Sequence, residues 1–204
     1  MASEKGKEIA SSDISRSSRV PPGQRVVDIW PILHSNGVPE IDLEKWELRA
    51  FGLLEKEVKW TWEEFRSMPT ATVHSDWHCV TTWSKLDMRW TGVTAREIAG
   101  RLKILPDTKA VMVHSYDGYS TNLLIDDFLE DDVIFAWAES GKDLSPEKGG
   151  PSRLVVPKLY AWKSAKWVSG IEFINEDSPG YWEQRGYHMR GDPWKEERHG
   201  LPKG

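Results

Sequence analysis

Between Thr72 and Trp90 the chain reads TVHSDWHCVTTWSKLDMRW. Val73, Ser75 and Trp77 fall on one parity, and His74, Asp76 and His78 on the other. A period of two places neighbouring side chains on opposite faces of a β-strand. The strand runs out at Cys79, the only cysteine in the chain, and Thr81-Thr82-Trp83-Ser84 leads away from it. A strand end is a rigid place from which to aim a side chain into a cleft. A lone cysteine also excludes an internal disulfide framework and every CxxC metal site.

Short β-type runs recur on both sides of this stretch. Strands are predicted at Trp46–Phe51, Glu57–Trp62, Ala110–Ser115, Tyr119–Ile125, Val133–Ala138, Leu154–Val156 and Trp167–Phe173. Thr61-Trp62-Glu63-Glu64 starts a short helix, with a Thr cap and acids in the first turn, and Pro69 closes it. Gly92–Leu102 is expected to be helical, with Thr94 as its cap. Many short strands with few helices give an α+β class, mixed and β-rich. Residues 1–20 are polar and Ser-rich and are expected to form a disordered or mobile N-terminal arm. Residues 21–204 are expected to form a single domain, whose C-terminal tail from Asn175 to Gly204 wraps the body.

The formal charge of −5 argues against general nucleic-acid binding, which needs broad phosphate neutralisation. No apolar run approaches the roughly 18 residues of a membrane span, and no signal sequence is recognised, so a cytoplasmic location is expected. Twelve tryptophans are an unusual number, and such flat side chains either fill a core or line a cofactor cleft.

Cys79 leaves three readings open: a nucleophile with His78 or His74 as base, a soft metal ligand, or a buried structural residue. His74 and His78 on one strand would lie about 13 Å apart, at ~3.3 Å per residue, too far for one ion. No HExxH, GxSxG, GxxxxGK[ST] or GxGxxG pattern occurs. The stretch Lys148–Lys166, KGGPSRLVVPKLYAWKSAK, carries Lys148, Arg153, Lys158, Lys163 and Lys166 and no acid. It is either a solvated basic edge or an anion pocket, and in a pocket Arg153 and Lys163 are the favoured ligands. The acidic run Asp126–Asp132 lacks EF-hand spacing and reads as a solvated turn.

HCVTTWS, WTGV, DGYSTNL, GGPSRLVVPKLYAWKSAKW and the YWEQRGYH…GDPW tail occur in that order. In this the chain resembles the oxidoreductase molybdopterin-binding domain of the sulfite oxidase superfamily. It looks closest to the stand-alone bacterial or archaeal sulfite-oxidase-like proteins, which also resemble the catalytic subunit of the periplasmic methionine sulfoxide reductase. The likeness runs from about Pro21 to His199. It implies a β-rich sulfite-oxidase-type fold and a molybdenum held by molybdopterin and by one thiolate, matched by Cys79. It implies cofactor contacts at His34, Ser115, Lys148, Arg153, Ala161, Trp162, Lys163 and Lys166. Trp83 and Tyr119 are then candidates for the substrate side, with Trp77 beside them.

The resemblance further implies oxygen-atom transfer on a small S- or N-oxo compound, with a separate electron-transfer partner. A catalytically silent molybdopterin-binding module and a metal-free thiol enzyme using Cys79 and His78 stand as alternatives. The chain departs from sulfite oxidases just after the cysteine. They carry an arginine there, whereas here Lys85 is the first cation. Lys148 stands where relatives carry Asn or His, and Ala161 replaces a common Gly.

Overall fold

The computed structural model describes residues 6–200. In chain order the strands are β1 (Lys7–Ala10), β2 (Arg25–Val26), β3 (Glu47–Gly52), β4 (Val58–Thr61), β5 (Ala71–His78) and β6 (Trp83–Thr94). They continue with β7 (Ala110–Ser115), β8 (Ser120–Leu124), β9 (Ile134–Glu139), β10 (Lys142–Asp143), β11 (Arg153–Val155) and β12 (Val168–Ile174). Three short helices interrupt them: α1 (Trp62–Arg66), α2 (Ala95–Ala99) and α3 (Ile125–Phe128). The architecture is α+β and dominated by strands, as the sequence predicts.

The strands form two mixed sheets. One runs β1-β5-β6-β9-β10, with β2 also on β6 and β11 also on β9. The other runs β4-β3-β12-β7-β8. In the first sheet β5 and β6 are an antiparallel hairpin, while β1 joins β5 in parallel. Alternation along β9 and its neighbours gives this sheet two buried faces. Phe135, Val93 and Leu154 join the main core with Leu48, Val113 and Ile171 of the second sheet. Ile134, Ala136 and Trp90 face a second cluster with Trp30, Trp77, Cys79 and Trp83. The cysteine strand therefore belongs to the smaller, tryptophan-rich core.

Local chemistry fixes several ends. Thr61 caps α1 through a reciprocal box: its hydroxyl accepts from the Glu64 N–H, and the Glu64 carboxylate accepts from the Thr61 N–H at 2.8 Å. The helix predicted over Gly92–Leu102 starts later. Residues 92–94 finish β6, and Thr94 caps α2 from Ala95. Gly92 lies against β9 so closely that a Cβ would stand 2.0 Å from the Phe135 carbonyl, which fits a sheet position at a register shift. Part of the acidic run expected to be a turn forms α3, where Asp127 is buried against Arg190.

The expected N-terminal arm also differs. Residues 1–5 lie outside the described residues, but Lys7–Ala10 pairs with β5 and Ser12–Ser15 makes a 3-10 turn. The reason is charge. Asp76 points to the face of β5 opposite Cys79, is fully buried, and takes the Arg19 guanidinium at 2.8 and 2.5 Å. Without that segment Asp76 would be an exposed carboxylate on a bare sheet face. The tail meets the same region, because Trp194 donates to Asp13 and lies 4.2 Å from the Arg16 guanidinium. Among the described residues no helix is long and apolar enough to cross a membrane.

Candidate active site

Cys79 is the first residue after β5. Its N–H donates to the Trp83 carbonyl, its own carbonyl accepts from the Thr82 N–H, and Thr82 takes a left-handed φ of 72° to close the turn. Two side chains brace the turn from behind. Gln24 donates to the Cys79 carbonyl at 3.0 Å, and Arg198 from the tail donates to the Val80 carbonyl at 2.6 Å. The thiol is thereby held at the edge of a cleft with about 880 Å³ of empty space, its open mouth included.

The Cys79 thiol is 8% exposed and accepts from the Thr81 hydroxyl at 3.2 Å. Burial raises its pKa, with Thr81 and the Arg198 charge pulling the other way. His78, the candidate base, points away. It is fully buried, shares a 2.8 Å hydrogen bond with Ser84, and does not line the cleft. Burial lowers its pKa to about 4. The two partners of the alternative thiol enzyme, Cys79 and His78, thus lie apart here: Cys79 lines the cleft and His78 does not.

Arg153, the first residue of β11, faces Cys79's cluster across the cleft. It is 2% exposed, and its hydrogen bonds go only to backbone carbonyls, Lys148 at 2.8 Å and Ser164 at 3.0 Å. Its Nε has no partner among the described residues, and its charge lies 4.6 Å from the Trp77 ring. Glu139, the acid whose charge reaches it, is already paired with Lys148 at 2.6 Å. Burial without an acid pushes the guanidinium down to about 9, so it is still charged at neutral pH. Lys166 lines the same cleft, donates to the Leu33 carbonyl and lies 2.6 Å from His34 Nδ1. Burial, and then the Arg153 charge, bring it to about 7. Gly149 makes this crowding possible: at φ +102° it passes so close that a Cβ would stand 2.7 Å from the Lys166 stem.

The structure thus brings Cys79, Trp83, Tyr119, His34, Arg153, Ala161, Trp162 and Lys166 to one cleft. Three predicted cofactor residues lie off it. The Lys163 side chain is fully buried and faces away. It binds Glu183 at 2.6 Å, the Asn122 side chain at 2.8 Å and the Met189 carbonyl at 2.5 Å. The Lys148 ammonium is committed to Glu139, and only its carbonyl serves the site, by holding Arg153. Ser115 is buried at the end of β7, beside the cleft and not in its wall. Tyr119 presents its ring, but its hydroxyl donates to the Trp162 carbonyl at 2.5 Å. Residues from elsewhere complete the wall. Trp30 meets Trp77 edge-on at 5.0 Å, and Trp182 and Tyr187 come from the tail. The tail has no period that would single these two out.

Among the described residues no three His, Cys, Asp or Glu side chains converge. A metal at Cys79 must therefore bring most of its ligands with it. Three residues of the cleft wall also carry buried donors without partners among the described residues: Arg153 Nε, Trp77 Nε1 and Trp83 Nε1. A single soft thiol, two desolvated cations and unmet N–H groups fit a metal carried on an anionic organic group.

Comparisons with known proteins agree with that donor set. The model of the "Oxidoreductase molybdopterin binding domain" matches residues 35–182. The chain is 45% identical over 184 residues to the "Uncharacterized oxidoreductase YuiH" of Bacillus subtilis, covering 90% of this chain and 93% of the relative. It is 27% identical over 157 residues to the "Protein-methionine-sulfoxide reductase catalytic subunit MsrP" of Campylobacter jejuni, covering 69% of this chain and 52% of the relative. Among solved structures, the sulfane dehydrogenase SoxCD of Paracoccus pantotrophus matches with a TM-score of 0.67 at 20% identity, over 79% of this chain and 47% of that one. The chain thus spans about half the length of these last two proteins.

Proposed function

This chain belongs to the oxidoreductase molybdopterin binding domain family, as a molybdopterin-dependent oxidoreductase of sulfite-oxidase type, and from that premise we propose that Cys79 is the protein's ligand to molybdenum. The observation that carries this reading is that Cys79 and the buried, acid-free Arg153 open onto one cleft. Arg153 and Lys166, with His34, hold the anionic end of the molybdopterin. The Ala161-Trp162 backbone and the Trp30 and Trp77 rings flank its body. When bound, the group supplies the two-electron chemistry that moves an oxygen atom to or from a small S- or N-oxo compound.

The chain's own residues do the rest. Thr81 donates to the Cys79 sulfur and so favours its thiolate form. Gln24 and Arg198 fix the cysteine turn, so the sulfur keeps one direction. Trp83 and Tyr119 form substrate-side wall and keep water out. Cysteine ligation and the S-oxo substrate class draw on family likeness, including a relative named as a methionine-sulfoxide reductase. Electrons pass through a separate partner, because one cysteine cannot hold a cluster that needs four. The proposed compartment is the cytoplasm, where a lone free thiol stays reduced.

The test is elemental analysis of protein made in a host that synthesises molybdopterin. Near-stoichiometric molybdenum is expected, and X-ray absorption should lose one sulfur scatterer in Cys79→Ser. Consistent absence of molybdenum from folded protein defeats the reading.

A further inference from the structure

The turn that carries Cys79 aims its donors at the sulfur. The Thr81 hydroxyl, 3.2 Å from Cys79 Sγ, makes the one hydrogen bond that the sulfur accepts among the described residues. The Val80 and Thr81 N–H groups face the sulfur too and draw on its charge, but neither closes a hydrogen bond to it. Neither N–H has a carbonyl partner among the described residues. The cation whose charge reaches the sulfur, Arg198, spends its two amino groups on the Val80 and Pro22 carbonyls, at 2.6 and 3.3 Å. Lys85, the first cation after the cysteine, does not line the cleft.

The rest of the sulfur's surroundings are apolar, since it packs in the cluster of Trp30, Trp77, Trp83 and Val80. In such surroundings a single hydrogen bond acts more strongly on a charge than it does in water. Thr81 itself is exposed in the cleft, and its hydroxyl makes no other hydrogen bond among the described residues. The turn does not depend on that hydroxyl. It is closed by the Thr82 N–H on the Cys79 carbonyl and braced by Gln24 and Arg198, and removing one side-chain oxygen leaves all three in place.

We propose that Thr81 is a positioning residue that sets the redox poise of the metal: its hydroxyl, donating to the ligating Cys79 sulfur, draws electron density from the thiolate and raises the metal's reduction potential. This deepens the molybdenum reading and rests on it. A thiolate that shares its charge with a donor gives less of it to the metal, and stabilises the oxidised metal less. The hydroxyl thereby makes the centre a readier electron acceptor than the same turn without it.

The test uses the holoenzyme with its molybdenum content measured. The molybdenum midpoint potential is read by EPR-monitored titration, dithionite supplying electrons and ferricyanide removing them. Thr81→Val keeps the branched shape and loses the donor, whereas Thr81→Ser keeps the donor. In Thr81→Val the reduction equilibrium is expected to shift about tenfold toward the oxidised metal, a fall of about 59 mV for a one-electron couple. Thr81→Ala, which removes the donor with less bulk, should give the same fall, and Thr81→Ser should stay at the wild-type potential. Molybdenum content and melting temperature should stay at wild-type values throughout. A wild-type potential in molybdenum-replete Thr81→Val overturns the inference alone. An equal fall in Thr81→Ser also overturns it, since the shift would then come from altered packing. So does folded Thr81→Val that takes up no molybdenum, because the hydroxyl would then serve loading and not poise. A wild-type protein that takes up no molybdenum removes the underlying reading, and this inference with it.

Discussion

Lys163 and Arg153 are both buried cations of the same basic stretch, yet their surroundings are opposites. Every partner of Lys163 is supplied by the protein: a carboxylate, a side-chain amide and two carbonyls within hydrogen-bond reach. Arg153 has two carbonyls, aromatic faces and an idle Nε. A buried charge that is fully matched is architecture, since it ties the tail to the body and asks for nothing more. A buried charge left unmatched is expensive unless a ligand completes it. The contrast distinguishes a cation whose partners are all in place from one, ten residues away, that is left unmatched, where charge and burial alone do not.

The largest expected effect tests the structural half. Lys163→Met leaves Glu183 buried without its counter-ion and should cost about 3–5 kcal/mol in urea denaturation of cofactor-free protein. Arg153→Leu tests the other half. Cofactor-free stability should move by about 1 kcal/mol, because two freed carbonyls offset the relief of an unpaired charge. Molybdopterin retained through gel filtration should fall tenfold or more, in line with a lost charge-assisted contact. If Arg153→Leu unfolds the empty protein as readily as Lys163→Met does, the contrast fails.

The smallest effect concerns Lys166 and sharpens the comparison. Its folded pKa is about 7, below the ordinary 10.5. Between those values the unfolded chain binds the extra proton, so stability rises as pH rises. Cofactor-free protein should therefore melt at a higher temperature at pH 8.5 than at pH 7. Lys166→Gln should flatten that slope, and so should bound molybdopterin, whose negative charge restores the ammonium. A slope that survives Lys166→Gln assigns the titration elsewhere.

Much of this is legible in the sequence. Alternation through Val73, Ser75 and Trp77 places Cys79 at a strand end, and the Thr61–Glu64 box marks α1. Arg153 and Lys166 were recognisable as members of an acid-free basic run. The direction of Lys163 was not, because it sits in a 3-10 turn where neither a period of two nor one of 3.6 applies. Residues 7–10 read as polar arm, since their partner is the edge of β5 and no local pattern records that pairing. Trp182 and Tyr187 were visible only as aromatics in a tail without regular structure, and their place at the cleft comes from long-range contacts alone.

The run from Trp30 to Ser35 walls the cleft but belongs to no strand. What fastens it is side-chain contacts: Trp30 packed on Trp77, Lys166 on Leu33 and His34, the His34 ring near Trp167, and, just beyond, Asn36 on the Asp117 carbonyl. Swinging that flank outward breaks no ladder bond in either sheet. The flank is thus a hinged panel on an otherwise finished fold, and one lysine, Lys166, serves both as its latch and as part of the cleft wall behind it.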